Sequence, residues 1–319
     1  MGALRLDLGQ AWGRAGEPTV IHRLVLSRKG FDSGYGGMAS PILPDGRLLP
    51  LPIPAEQDDF RLADLNAPGV GLGPLLRDLS GGRHSRRRRV HMDPDLDRRP
   101  DLRLPGWRPA LGQNGAAQSH LARQGVGPGA VFLFFGWFRE VERHARRWRY
   151  VPGAPDLHVL YGWLEVAEVL PVVSTRAESL RRHPWIADHP HVANPGHYRG
   201  ADNVLYVGRE RSKFAAGHAG GGVFPRYAEG LRLTAAGASR SVWALPEWFH
   251  PATGLAPLSY HANPARWSSE AGRCLLRSVP KGQEFVLDTG GRPEPAAWVR
   301  ELVAQHAGGP QDGERQGAS

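Results

Sequence analysis

AVFLFFGWF (130–138) and LHVLYGWLEVAEVLPVV (157–173) are the most apolar and aromatic runs of this 319-residue chain. In the first, apolar side chains fill nearly every position. A strand with one solvated face alternates; a strand covered on both faces does not. The second run keeps the same pattern until Glu165 and Glu168 interrupt it. Each carries an aromatic-Gly-Trp triplet, Phe135-Gly136-Trp137 and Tyr161-Gly162-Trp163. We read both as central strands. The connection 139–156 holds Arg139, Arg143, Arg146, Arg147 and Arg149 with Trp148 and Tyr150 among them. Such a segment suits either a backbone-and-stacking surface for nucleic acid or a solvated amphipathic helix.

Working outward, VIHRLVLS (20–27) reads as a strand that runs into the glycine-rich loop RKGFDSGYGG. Pro44-Asp45-Gly46 sits between two short apolar runs and suggests a hairpin. Residues 55–109 offer only short helical turns. A short helix is expected at 116–124, stopped by Gly125. In 181–197, Pro184, Pro190 and Pro195 forbid a continuous helix. Further strands are expected at VLYVG (204–208) and on both sides of Pro280-Lys281-Gly282, with an amphipathic helix at 296–305. The fold class is α+β: a β-rich mixed sheet or pseudo-barrel with short peripheral helices and long loops. A single domain is expected over 18–306, its core at about 111–210, between a flexible N-terminal extension (1–17) and a disordered tail (307–319).

The formal net charge is +9, and only Lys29, Lys213 and Lys281 among the 40 basic residues are lysines. Arginine forks suit phosphates and stack on base planes, so the balance permits a nucleic-acid partner; an arginine-rich genome composition explains it equally well. The run Arg86, Arg87, Arg88, Arg89 with Arg139, Arg143, Arg146 and Arg147 supplies candidate phosphate contacts. One cysteine, Cys274, excludes a disulfide framework and a multi-cysteine zinc site, and its apolar neighbours make it a buried strand residue. No segment is apolar enough to span a membrane and no signal-peptide core opens the chain, so a cytoplasmic protein is expected.

Several motif classes fail. No lysine is followed by Ser or Thr, as a P-loop requires. Gly69, Gly71 and Gly73 mimic a dinucleotide fingerprint, but Pro74 stands where its last glycine is needed. Asp93, Asp95 and Asp97 open like a calcium loop, yet Arg98 replaces the turn glycine and Leu104 the terminal glutamate. His189, His191 and His197 with nearby His183, and separately His91 with Asp93 and Asp95, have ligand-type side chains; packing and turn hydrogen bonds explain such residues too, and no metal site is assigned. Two polar clusters carry more. Ser27, Arg28, Lys29, Asp32, Ser33 and Tyr35 lie where a buried strand ends, with cation, carboxylate and hydroxyls suited to phosphate binding or acid–base work. Gln113, Asn114, Gln118, Ser119 and His120 precede the first central strand, and amides donate and accept together as base-edge recognition requires. Local backbone hydrogen bonding and helix capping are the competing explanations for the two.

LSRKGFDSGYGG with SPILPDGRLLPLPIP, then GQNGAAQSHLARQGV, FLFFGWFR, LHVLYGWLEV and LSYHANPARW, resemble the nucleotide modification associated domain 3 family from about Val25 to Val303. The resemblance implies a context, bacterial and phage systems that modify bases in DNA, more than a reaction. The central pair of strands with its basic excursion also resembles PUA-like domains, whose relatives include modified-base readers. That likeness would place Phe135, Trp137, Tyr161 and Trp163 around a flipped base, with His261 among the ligand contacts. Three functions stay open: a module binding a modified or flipped base through an aromatic and polar pocket with arginine phosphate contacts; an enzyme modifying a base or nucleotide with Lys29, Asp32 or His120 in acid–base roles; or a structural subunit of a modification complex. DNA or a nucleotide, and other proteins of a modification system, are the implied partners. The cofactor is left open.

Overall fold

The two apolar runs lie side by side as the longest strands of a nine-stranded sheet. The computed structural model describes residues 20–97 and 103–308; the extension 1–17 and the tail from 309 onward lie outside the described residues. In chain order the strands are β1 (Arg23–Arg28), β2 (Ser40–Ile42), β3 (Ala110–Gln113), β4 (Val131–His144), β5 (Arg147–Tyr150), β6 (Leu157–Pro171), β7 (Val204–Gly208), β8 (Gly221–Val223), β9 (Val242–Pro246), β10 (Trp267–Glu270), β11 (Arg273–Arg277) and β12 (Glu284–Asp288). The helices are α1 (Leu72–Leu79), α2 (Gly115–Arg123), α3 (Arg176–Arg182), α4 (Pro190–Ala193) and α5 (Pro293–His306).

The sheet runs β12-β1-β4-β6-β7-β3, with β2 and β5 on β4 and β8 on β6. β1 is parallel to β4, and every other pairing along that path is antiparallel. Phe132, Phe134, Phe135 and Phe138 of β4 are fully buried. Burying each such side chain contributes about 1.5–3 kcal/mol, so this one strand anchors the core. The glycines of the two triplets have a packing reason. A Cβ on Gly136 would stand 3.0 Å from the Lys29 carbonyl oxygen, and one on Gly162 2.8 Å from that of Gly222. At Gly162 a side chain would force the neighbouring backbone to move, and at Gly136 the fit is tight.

The basic connection is a β-hairpin, not a helix. Its first arginines continue β4, and β5 returns through Ala145 (φ 46°) and Arg146 (φ 70°). Two consecutive left-handed residues match the twist of a two-residue hairpin turn. A second sheet, β10-β11-β9, packs on the same core and buries Cys274. α5 adds Ala296, Val299, Leu302 and Val303 to that core.

The chain is α+β, and of the two arrangements expected it adopts the mixed sheet, not a closed barrel. The sheet stays open, because β12 and β3 at its ends share no backbone ladder. They are joined instead by side chains: Gln113 Nε2 on β3 donates to Glu284 Oε1 on β12. A polar contact bridges the gap that a closed barrel would fill with backbone hydrogen bonds.

Candidate functional site

A cleft of about 290 Å³ opens beside β6, near the lower end of the range for small-molecule sites, roughly 300–1,000 Å³. Arg47, Asp93, Arg103, Tyr161 and Phe224 line it, with Gly30, the neighbour of Lys29. Its walls are mostly apolar loop residues from 48–52 and 92–97. One buried polar cluster reaches it through Asp93, and a second lies behind Gly30 and Tyr161.

The first cluster sits at the open seam of the sheet. The β1–β12 register sets Ser27 opposite Glu284, which places both side chains on one face. Lys29 Nζ lies 2.8 Å from Glu284 Oε1, the oxygen that also accepts from Gln113. The Lys29 side chain is 11% exposed and that of Glu284 1%. At such burial the attraction roughly offsets desolvation, whereas removing one partner costs about 3–5 kcal/mol. Glu284 Oε2 and Ser27 Oγ are buried with no hydrogen-bond partner among the described residues.

The second cluster joins segments about which the sequence spoke separately. His91, His189 and His191 turn their Nε2 atoms toward the Asp93 carboxylate, at 3.6, 3.4 and 3.9 Å. Gly112 N donates to Asp93 Oδ1 over 2.8 Å and fixes that carboxylate. The far side of each ring is held as well. His91 Nδ1 lies 2.6 Å from Asp58 Oδ2, with the Tyr198 hydroxyl 3.0 Å away. His191 Nδ1 lies 2.6 Å from Asn203 Oδ1, and His189 Nδ1 accepts from His191 N. A Cβ on Gly112 would fall 2.3 Å from the His191 ring, so glycine is required there.

Electrostatics separates His91 from His191. Burial opposes charge on His91, but the hydrogen bonds and charges of Asp58 and Asp93 outweigh it and push its pKa up to about 9. Burial, reinforced by the neighbouring histidines against the pull of Asp93, brings His191 down to about 3. Asp93 is held well below the usual carboxylate range: burial would raise it, and His189 and His91 prevail. Tyr161 lies within reach of both clusters. Burial, then the charges of Asp93 and Glu284, pushes its phenol up. Strand β3 ties the clusters together, since Gly112 serves Asp93 and the next residue, Gln113, serves Glu284.

The residues singled out from sequence fall in several places. Lys29, Ser27 and Gln113 meet at Glu284, so the two predicted polar stretches do come together. Arg28 donates to the carbonyls of Pro280 and Gly282 and braces that turn. Asp32 Oδ1 accepts from Gly34 N and Tyr35 N, both at 2.7 Å, which is the local-turn arrangement; Ser33 and Tyr35 are exposed. Asn114 is the residue before α2, Ser119 is half-buried on it, and Gln118 Oε1 accepts from the Tyr206 hydroxyl. His120 Nε2 faces Ser259 Oγ at 3.0 Å, and burial, then Arg123, lowers its pKa. Of the four aromatic candidates only Tyr161 lines the cleft. Trp163 stacks on Phe224, Phe135 is fully buried, and Trp137 lies under Arg240, 4.2 Å from its ring centre. His261 has both ring nitrogens engaged, by Ser259 O and Val279 N.

The arginines border α1. Arg86 packs against Gly73, while Trp148 N, between Arg147 and Arg149, donates to Asp78 Oδ2. Arg86, Arg87, Arg146 and Arg147 are exposed; Arg88 and Arg89 pair with Glu56 and Asp59. Arg139 lies over Tyr150 and Arg143 over Trp148. Sequence reasoning passed over Glu284, Asp58 and Asn203. Glu284, the lone carboxylate opening the apolar run EFVL, carried a readable signal; the other two did not.

Among the described residues no helix is long and apolar enough to cross a membrane. The model of nucleotide modification associated domain 3 matches residues 23–288, a span that includes both clusters. No curated protein and no solved structure matches.

Proposed function

The chain belongs to the nucleotide modification associated domain 3 family, and from that premise we propose that it acts on a nucleotide, or on a base turned out of DNA, in the cleft beside β6. Membership ties the chain to nucleotide modification systems, in which other proteins of the system are its natural partners. The observation that carries the reading further is convergence. A buried cluster of histidines around a carboxylate reaches a ligand-sized cleft through Asp93, and a second cluster, a cation paired with a carboxylate, lies behind the lining residues Gly30 and Tyr161. In the histidine cluster the shifted, convergent groups His91, Asp93 and His191 are of the kind that acid–base chemistry uses.

In this reading Tyr161 and Phe224, which line the cleft, supply the aromatic contact to a base, worth roughly 1–3 kcal/mol where a ring stacks on it. Arg47 and Arg103 supply positive charge for a phosphate. Exposed Arg86, Arg87, Arg146 and Arg147 contact the DNA backbone outside the cleft. Lys29 replaces Asp32 and His120 as the leading acid–base candidate, because it shares a buried carboxylate with Gln113. DNA incubated with the chain and candidate co-substrates, then digested to nucleosides and analysed by mass spectrometry, tests the reading. A changed nucleoside profile that is lost in Lys29→Met supports it. An unchanged profile together with tight binding of modified DNA would instead make the chain a binding module.

A further inference from the structure

We propose that His91, Asp93 and His191 form a binding site for one divalent transition-metal ion. The inference stands on the arrangement of these side chains and does not depend on the nucleotide reading. One candidate ligand atom from each residue lies within 4.8 Å of the others. His91 Nε2 and His191 Nε2 stand 3.6 and 3.9 Å from Asp93 Oδ2. Those distances are too long for hydrogen bonds. They are close to the roughly 3.4 Å edge of a tetrahedron whose ligands sit about 2.0–2.1 Å from a central ion.

Orientation makes the stronger case. Asn203 Nδ2 donates to the carbonyls of His191 and Tyr198, so its Oδ1 is the atom facing His191 Nδ1. An amide oxygen only accepts, and Nδ1 therefore bears the proton. Asp58 takes Asn194 Nδ2 on one oxygen and His91 Nδ1 on the other. Each ring thus donates outward from Nδ1 and presents Nε2 inward. That is the outer-shell pattern that orients metal-bound histidines. A positive charge among the three, carried by a proton on His91 or by a bound cation, is what holds these atoms around one carboxylate oxygen. His189 supplies an independent sign: its side chain is 1% exposed, and Nε2 points at the cluster with no hydrogen-bond partner among the described residues.

Two imidazoles and one carboxylate suit zinc, iron(II), manganese or cobalt better than magnesium or calcium, and they leave coordination positions for water or a ligand. Asp93 lines the cleft, so an ion there borders the volume that a small molecule would fill.

The full-length chain, stripped with chelator, is dialysed against Co(II) or Zn(II), with Mg(II) as control, and metal is counted per chain by mass spectrometry. The expected result is one tightly held Co(II) or Zn(II), a visible Co(II) ligand-field spectrum, magnetic-resonance couplings from two imidazoles, and a raised melting temperature. Asn203→Leu should weaken the ion about 10–100-fold. His191→Gln should weaken it at least about 100-fold, more than the loss of an outer-shell partner. The exposed His22→Gln should leave it unchanged. If the ligand variants fail to fold, the wild-type spectrum and imidazole count still decide. Absence of stoichiometric binding, or an ion retained equally by His91→Gln and His191→Gln, overturns the site and identifies a cluster that holds only protons. Nucleotide binding that survives metal removal would leave the proposed function standing without it.

Discussion

His261 and His191 are both buried histidines, and they are buried in opposite ways. Beside β10 and β12, His261 meets Ser259 O with one nitrogen and Val279 N with the other, so no polar capacity remains. Nearby, His158 accepts from Trp243 Nε1 and packs edge-on against Phe135. Behind β3, His191 anchors one nitrogen on Asn203 and leaves the other facing a carboxylate beyond hydrogen-bond range. Fully satisfied polar groups fix a fold; a shared, incompletely satisfied set is where a ligand, ion or proton adds something. Burial alone does not separate structure from function. The fate of the second nitrogen does.

The largest expected effect tests the seam. Lys29→Met strands the buried Glu284 charge and should cost about 3–5 kcal/mol by urea unfolding. Adding Glu284→Gln should restore much of this; if the single variant is as stable as wild type, the pair is not the buried interaction described. Next, His261→Leu leaves Val279 N unpaired and should cost about 1–3 kcal/mol while metal content stays at the wild-type level. A loss of metal in that variant would dissolve the distinction drawn between the two histidines.

A third test uses acid. Burial, then Arg240 and Arg28, holds the His158 pKa well below its ordinary value. With the folded pKa depressed, only the unfolded chain takes up this proton as pH falls below about 6.5. Stability is therefore retained above that pH and lost below it, approaching about 1.4 kcal/mol per pH unit. His158→Gln should unfold with a flatter pH dependence between about 7.5 and 5; an equal slope assigns the acid sensitivity elsewhere. The smallest stability effect is expected at the hairpin tip. Arg146→Ala with Arg147→Ala should change stability by no more than about 0.5 kcal/mol, because both side chains are exposed. The same variant should lower the salt dependence of DNA binding by about one unit for each phosphate that is no longer neutralised. An unchanged slope would remove the tip from the nucleic-acid surface.

Much of this was legible in the residues. β4 and β6 could be read because covered strands drop their alternation, whereas the reason for glycine in each triplet depends on backbone brought alongside from Lys29 and Gly222. Lys29 and Gln113 could be singled out as polar groups at the ends of apolar runs, but their common partner Glu284 lies far along the chain and is supplied by the β1–β12 register. His91-Met92-Asp93 and His189-Pro190-His191 were both visible as fragments. Nothing local states that they meet. Their meeting depends on β3 pairing with β7 and setting Gly112 against the His191 ring, a long-range pairing with no sequence signature of its own. The hairpin at 139–156 was ambiguous because arginines and aromatics at mixed spacing satisfy a helix face and a ribbon about equally.

Strand β3 pairs with β7 along one edge; on the other, Ala110 exchanges two backbone hydrogen bonds with Asp95, Gly112 donates to Asp93, and the Gln113 amide reaches across to β12. A small tilt moves adjacent residues together, so whatever draws on Asp93 through Gly112 is felt at Glu284 through Gln113. The energetic link runs equally in both directions, since coupling between two binding events is reciprocal. An open sheet, which costs one ladder of hydrogen bonds, thereby gives two chemically different clusters a common mechanical connection.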